Sequence, residues 1–145
     1  MTDFHLRLVG WAEAAAELAA VRRAVFIAEQ GVPEELEWDD KDGHALHVLA
    51  TDPGGTPIGT ARLVPEGAAA RIGRMAVVKP WRGRGVGGAM LALLMGEAAR
   101  RGFREVFLDA QTHAVPFYER FGFRAQGEEF FDAGIPHRRM RRRLD

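Results

Sequence analysis

The stretch MAVVKPWRGRGVGGAML, residues 75–91, begins as an apolar run, breaks at Pro80-Trp81, and then passes four glycines before an apolar helical pattern. Val86, Met90, Leu94 and Ala98 recur on one helical face, and Gly102 supplies the stop. A strand, a glycine turn and a helix in this order leave the first helical N–H groups unpaired, with the positive end of the helix dipole beside them. Arg82-Gly83-Arg84-Gly85-Val86-Gly87-Gly88 therefore reads as a cradle for a diphosphate, with glycines admitting the oxygens and two arginines adding charge. A Walker A loop is excluded, because Ala89 and Met90 follow Gly88 where that loop needs Lys and then Ser or Thr. The dinucleotide pattern GxGxxG is spelled by Gly83, Gly85 and Gly88, with Asp109 about 20 residues on, so a Rossmann-like dinucleotide binder stands as an alternative.

Upstream, Leu46–Thr51 and Ile58–Val64 flank DPGGTP and predict a hairpin, and PEGAA leads to a third strand over Arg71–Val78. Gly73 inside that strand predicts a bulge or a close backbone neighbour. Phe4–Leu8 alternates as a first strand, Trp11 to about Glu29 has helical spacing that ends at Gly31 and Pro33, and the acidic run Glu34–Asp42 reads as an exposed loop. Downstream, Val106-Phe107-Leu108 predicts a buried strand in parallel pairing, Pro116 opens a short helix closed by Gly122, and Phe123–Gln126 with Pro136–Leu144 predicts a final strand pair. A chain of 145 residues fits one α/β or α+β domain, residues 1–145.

Composition narrows the chemistry. Cys, Ser and Asn are absent, which removes serine and cysteine acyl-enzymes, disulfides and zinc ribbons. No apolar run is long enough for a membrane span and MTDFHLRLVG lacks signal-peptide regions, so the expectation is a soluble cytoplasmic protein without a membrane partner. The formal charge is zero by cancellation, with residues up to Ala70 at −7 and residues from Arg71 onward at +7. That asymmetry predicts an anion held by the second half.

The quoted loop resembles the acetyl-CoA loop of the GNAT N-acetyltransferase superfamily, matched by Arg82, Gly85 and Gly87. FYERFGF, residues 117–123, looks like the second family signature, and VFIAEQGVPEELEWDDKD with GIPHRRM is similar to the ElaA-like branch. The resemblance implies an α/β, GNAT-type, mixed and mostly antiparallel sheet flanked by helices and splayed between its fourth and fifth strands, with acetyl-CoA in the wedge. By carry-over, the backbone of Met75, Ala76 and Val77 pairs with pantetheine, Arg82 through Gly88 hold the diphosphate, and Phe117 and Arg120 line the cofactor. Gln111 stands near the position where many members place an Asn. By family habit a homodimer is allowed.

The implied reaction is direct acetyl transfer to a primary amine, whose acceptor the sequence does not specify, and the alternative within the fold is a catalytically silent acyl-CoA-binding module. Tyr118, the only Tyr, occupies the position of the family's usual general acid. Base candidates are Glu29, Asp109, Glu128 and His137, with His137 preferred. His44 and His47 beside Asp39, Asp40 and Asp42 fall three apart, which on a strand points them to opposite faces, so no metal is expected. The five arginines between His137 and Arg143 lack interleaved aromatics and fit a terminal strand better than a nucleic-acid surface.

Overall fold

In the computed structural model, which describes residues 3–144, the chain forms one seven-stranded sheet in the order β1-β2-β3-β4-β5-β7-β6. The strands are β1 (His5–Val9), β2 (Leu46–Thr51), β3 (Pro57–Glu66), β4 (Ala69–Val77), β5 (Glu105–Gln111), β6 (Arg124–Asp132) and β7 (Ile135–Arg143). Only β4 and β5 run parallel, joined by the crossover helix α3 (Val86–Arg100). The expected mixed, mostly antiparallel sheet is the one observed.

The helix α3 buries Val86, Met90, Leu91, Leu94 and Ala98 against one face of the sheet. Each large side chain withdrawn there contributes about 1.5–3 kcal/mol. Close approach depends on Gly59 in β3, where a Cβ would lie 3.1 Å from Val86 and 3.2 Å from Met90. The opposite face is covered by α1 (Trp11–Arg22), which continues as a π-helical segment, Arg23–Glu29. The single helix expected over Trp11–Glu29 is thus present, kinked at Ala14 near its start and widened in its second half.

Two expectations need correction. The last strand pair is longer than read: Gly127 adopts φ 76° in a bulge and β6 runs on to Asp132. More important, the acidic run is no solvated loop. It forms the short helix α2 (Glu34–Glu37) and a 3-10 turn, Asp42–His44, and both Glu37 and Asp42 are buried. Buried Arg22 donates to Glu37 Oε2 (2.7 Å) and Asp42 Oδ1 (2.8 Å), with its guanidinium between the Trp11 and Trp38 rings. Buried Arg62 reaches Asp42 (2.9 Å) and Asp39 (2.7 Å). Arg74 completes three arginines against three carboxylates, its Nε 3.1 Å from Glu37 and its Nη2 on the Glu37 carbonyl at 3.0 Å.

Arg62 holds the Asp39 carboxyl well below its ordinary value of 3.8, against the opposing effect of burial. Burial raises the pKa of Asp42, but Arg22 and Arg62 outweigh it and the net shift is downward. A carboxyl depressed in the folded state stabilises the fold above its unfolded pKa and loses that contribution as pH falls through the ordinary carboxylate range and below. Asp42→Asn is therefore expected to lower unfolding stability at pH 7 by about 3 kcal/mol, the loss typical of a broken buried pair. The gap between wild type and variant in urea denaturation should narrow below about pH 4. A gap constant from pH 7 to pH 3 would show that Asp42 is not titrating with unfolding.

Candidate active site

The parallel ladder between β4 and β5 is short, running from Ala69–Glu105 to Arg71–Phe107. Beyond it the strands diverge, because β4 bulges: Thr60 faces Ala76 whereas Arg62 faces Gly73, and Arg74 between them takes φ 51°. The bulge expected at Gly73 is at that point. Past it, the Val78 N–H donates to the Ile58 carbonyl (3.0 Å), so in an antiparallel ladder the Val77 peptide groups point to the other edge, toward β5. Met75, two residues back, presents the same edge.

The glycine loop closes the mouth of this wedge. Gly83 and Gly85 have φ of 76° and 87°, and Gly85 is the N-cap of α3. Helical bonding starts with Ala89 N–H to the Gly85 carbonyl (3.0 Å), leaving the N–H groups of Val86, Gly87 and Gly88 directed out of the helix end. A Cβ on Gly87 would lie 3.6 Å from Phe117, 3.8 Å from Met75 and 3.9 Å from Val77, so those expected site residues converge on one point. Gly88 serves packing: a Cβ there would come within 2.8 Å of the Phe121 ring.

The two loop arginines part company. Arg84 lies over the Trp81 ring (4.9 Å) and Arg120 over Phe117 (5.9 Å), and neither forms an ion pair among the described residues. Both are available to an anion beside the α3 N-terminus. Arg82 is engaged: its Nη atoms hold both Glu29 oxygens at 2.6 Å, and its Nε donates to the Val77 carbonyl (2.9 Å). The bond from Arg82 lowers the Glu29 pKa, which makes Glu29 a weak base.

Asp109 is no better suited. Burial raises its pKa, but Arg139 (2.8 Å) and Arg71 (3.0 Å) outweigh that and hold it ionised. These bonds also occupy the carboxylate that a dinucleotide ribose would need, and the glycine loop follows a strand antiparallel to its predecessor. Glu128 is exposed in the β6 bulge.

The remaining acid and base candidates fall on opposite faces of β5. Val106, Leu108 and Ala110 enter the α3-side core, so Phe107, Asp109 and Gln111 face the α1 side. Tyr118, on α4 (Val115–Glu119), packs against the α3-side core, edge-on to Phe117 (5.0 Å) and Phe123 (6.0 Å). Burial pushes its phenol up to about 12. His137 pairs across the ladder with Gln111, and its ring stacks on Phe130 (5.9 Å). Its Nδ1 lies 2.7 Å from the Ile135 carbonyl. A carbonyl only accepts, so Nδ1 carries the hydrogen and, in the neutral ring, Nε2 keeps its lone pair. Gln111 itself donates to Gln30 Oε1 (2.9 Å), a partner 81 positions away that no local pattern announces.

His44 lies in the 3-10 turn, not on a strand, and buried His47 has its Nε2 3.0 Å from the Asp42 carbonyl. Among the described residues no cluster of three or more His, Asp or Glu is placed to hold a metal ion. The terminal arginines are β7 side chains, with Arg139 on Asp109 and Arg141 on Glu105. No helix among the described residues is long and apolar enough to cross a membrane.

Residues 12–144 match the family described as acetyltransferase (GNAT) domain. The uncharacterized N-acetyltransferase YjcF of Bacillus subtilis is 41% identical over 121 residues, covering 83% of this chain and 86% of that protein. Among solved structures, Escherichia coli ElaA superposes with a TM-score of 0.85 at 27% identity, covering 97% of this chain and 99% of that one. An acyl-CoA N-acyltransferase from Pseudomonas aeruginosa gives 0.82 at 30% identity, covering 98% and 99%.

The two adjacent glycines are expected to separate packing from binding. Gly88→Ala should lower stability by about 1–3 kcal/mol through the Phe121 clash, while Gly87→Ala, in ordinary contact distances, should leave the urea midpoint nearly unchanged. Equal losses would place Gly87 in the packing as well.

Proposed function

This chain belongs to the GNAT acetyltransferase family, and from that premise we propose that residues 1–145 act as one cytoplasmic acetyltransferase domain that moves an acetyl group from acetyl-CoA directly to a primary amine. The observation that carries the reading is the wedge, with strand-edge peptide groups on one wall and a glycine-led helix N-terminus at its mouth. The peptide groups of Met75 and the N–H of Val77 would pair with the pantetheine arm, the Val77 carbonyl being held by Arg82. The N–H groups between Arg82 and Gly88 would take the diphosphate, with Arg84 and Arg120 adding charge and Phe117 lining the arm. Gln111, the last residue of β5, flanks the open end of the wedge.

Acetyl-CoA supplies an activated thioester, so the chain needs to orient an amine, accept its proton and protonate a departing thiolate. Tyr118 fits the last role, because a phenol with pKa pushed up to about 12 stays protonated through the physiological range. His137 fits the second: its Nδ1–H is committed to the Ile135 carbonyl, which aims the basic role at Nε2, on the face of the sheet opposite Tyr118. Acid and base on opposite faces suit an amine entering from the α1 side and a thiolate leaving on the α3 side. Every base candidate except His137 and Glu128 is already committed to an arginine.

Acetyl-CoA and CoA are expected to raise the melting temperature and NAD to leave it unchanged, since ligand at 100 times its Kd stabilises by about 2.7 kcal/mol. A shift with NAD alone would overturn the reading. With a panel of a polyamine, amino acids and peptide N-termini as acceptors, Tyr118→Phe should lower single-turnover kcat by roughly 10² to 10⁴ with acetyl-CoA affinity nearly unchanged. Wild-type turnover in that variant would remove Tyr118 from the reaction.

A further inference from the structure

Glu29 and Gln30 are consecutive residues at the end of the π-helical segment, yet their side chains reach opposite walls of the wedge. Glu29 grips Arg82 through two 2.6 Å bonds, and Arg82 in turn occupies the Val77 carbonyl on the β4 edge. Gln30 accepts from Gln111 at the end of β5 (2.9 Å). Between these two anchor points β4 and β5 share no ladder, since pairing stops at Arg71–Phe107. We propose that Glu29 and Gln30 are positioning residues that bracket the wedge and set its opening for the pantetheine arm, and that the Arg82 side chain is a strut in this bracket and not a phosphate ligand.

The proposal rests on the acyl-CoA reading and deepens it by moving Arg82 from the anion to the wall. A guanidinium whose Nη atoms both hold a carboxylate and whose Nε holds a carbonyl has spent its main donor directions. Releasing it toward phosphate costs two charge-assisted bonds at once. Arg84 and Arg120, lying on aromatic faces, carry no such cost. The widened π turn is the local device: it ends at Glu29 with the Gln30 N–H bonded to the Val25 carbonyl (3.0 Å), which places two successive side chains over the two strand ends.

Isothermal titration with two ligands tests the bracket: acetyl-CoA, and 3′-phospho-ADP, which keeps all the phosphates and lacks the arm. Glu29→Ala and Arg82→Ala are each expected to weaken acetyl-CoA by about tenfold or more, the loss of a charged hydrogen bond, while 3′-phospho-ADP changes by less than about threefold. The double variant should be no weaker than the worse single one, because one unit is broken either way. Glu29→Gln, which keeps an accepting oxygen for the guanidinium, should fall between wild type and Glu29→Ala. Gln30→Ala should likewise weaken acetyl-CoA and spare 3′-phospho-ADP. Glu29 and Arg82 are both about 40% exposed, so the core is untouched, and melting temperatures report any loss of fold. The proposal is overturned if Arg82→Ala weakens both ligands equally, or if Glu29→Ala tightens acetyl-CoA by freeing a phosphate-binding arginine. Failure of the wild type to bind acetyl-CoA would instead sink the acyl-CoA reading itself, a result that involves no variant.

Discussion

The buried ion cluster of Arg22, Arg62 and Arg74 with Glu37, Asp39 and Asp42 is the constraint on which the site depends. Taking six charges largely out of water is costly, and such a cluster gives geometry more than net stability. Its members come from α1, from the segment around α2, from β3 and from the β4 bulge. Arg74 is the member nearest the wedge: it stands at positive φ in the bulge, a backbone conformation that ordinarily favours glycine, with its guanidinium against Glu37. The anchor and the bulge thus stand together at the point where β4 leaves its ladder with β5.

Once β4 is bent away, the two faces of β5 acquire different tasks. The α3 face is apolar, and packing there raises the pKa of the Tyr118 phenol. On the α1 face, Arg71, Arg139 and Arg141 surround the Phe107 ring at 4.9–5.1 Å and tie themselves to Glu66, Asp109 and Glu105. That lattice covers the Phe107 ring on this face of the sheet. It also consumes the acids near the wedge, leaving His137 and exposed Glu128 as the base candidates without an arginine partner of this kind.

The parts legible in the sequence were those fixed by local chemistry. The glycine loop, the α3 stripe, the DPGGTP hairpin and the Gly73 bulge each follow from short-range rules on φ or periodicity, and each stands where it was read. What stayed hidden depended on partners distant in sequence. Six acids between Glu34 and Asp42 look solvated until Arg22, Arg62 and Arg74 are seen to converge on three of them. Gly127-Glu128-Glu129 reads as the end of a strand, whereas it is a bulge inside one, because β7 alongside continues to pair at Phe130–His137. Glu29 shows the same dependence: a carboxylate near a site suggests a base, and only the fold shows the arginine, 53 positions away, that it holds.

The charge asymmetry between the halves shows how an indirect argument can be half right. A −7 segment followed by a +7 segment predicts an anion for the second half. The folded chain answers much of that charge internally, since Glu29, Glu37, Asp39 and Glu66 from the first half meet Arg82, Arg74 and Arg71 from the second. Bonds between the halves hold α1, the acidic segment and β3 against β4 and the loop after it. The position of an unpaired cation is therefore more informative than the total: Arg84 and Arg120 each rest on an aromatic ring near the α3 N-terminus, where their charge is not used in an ion pair among the described residues.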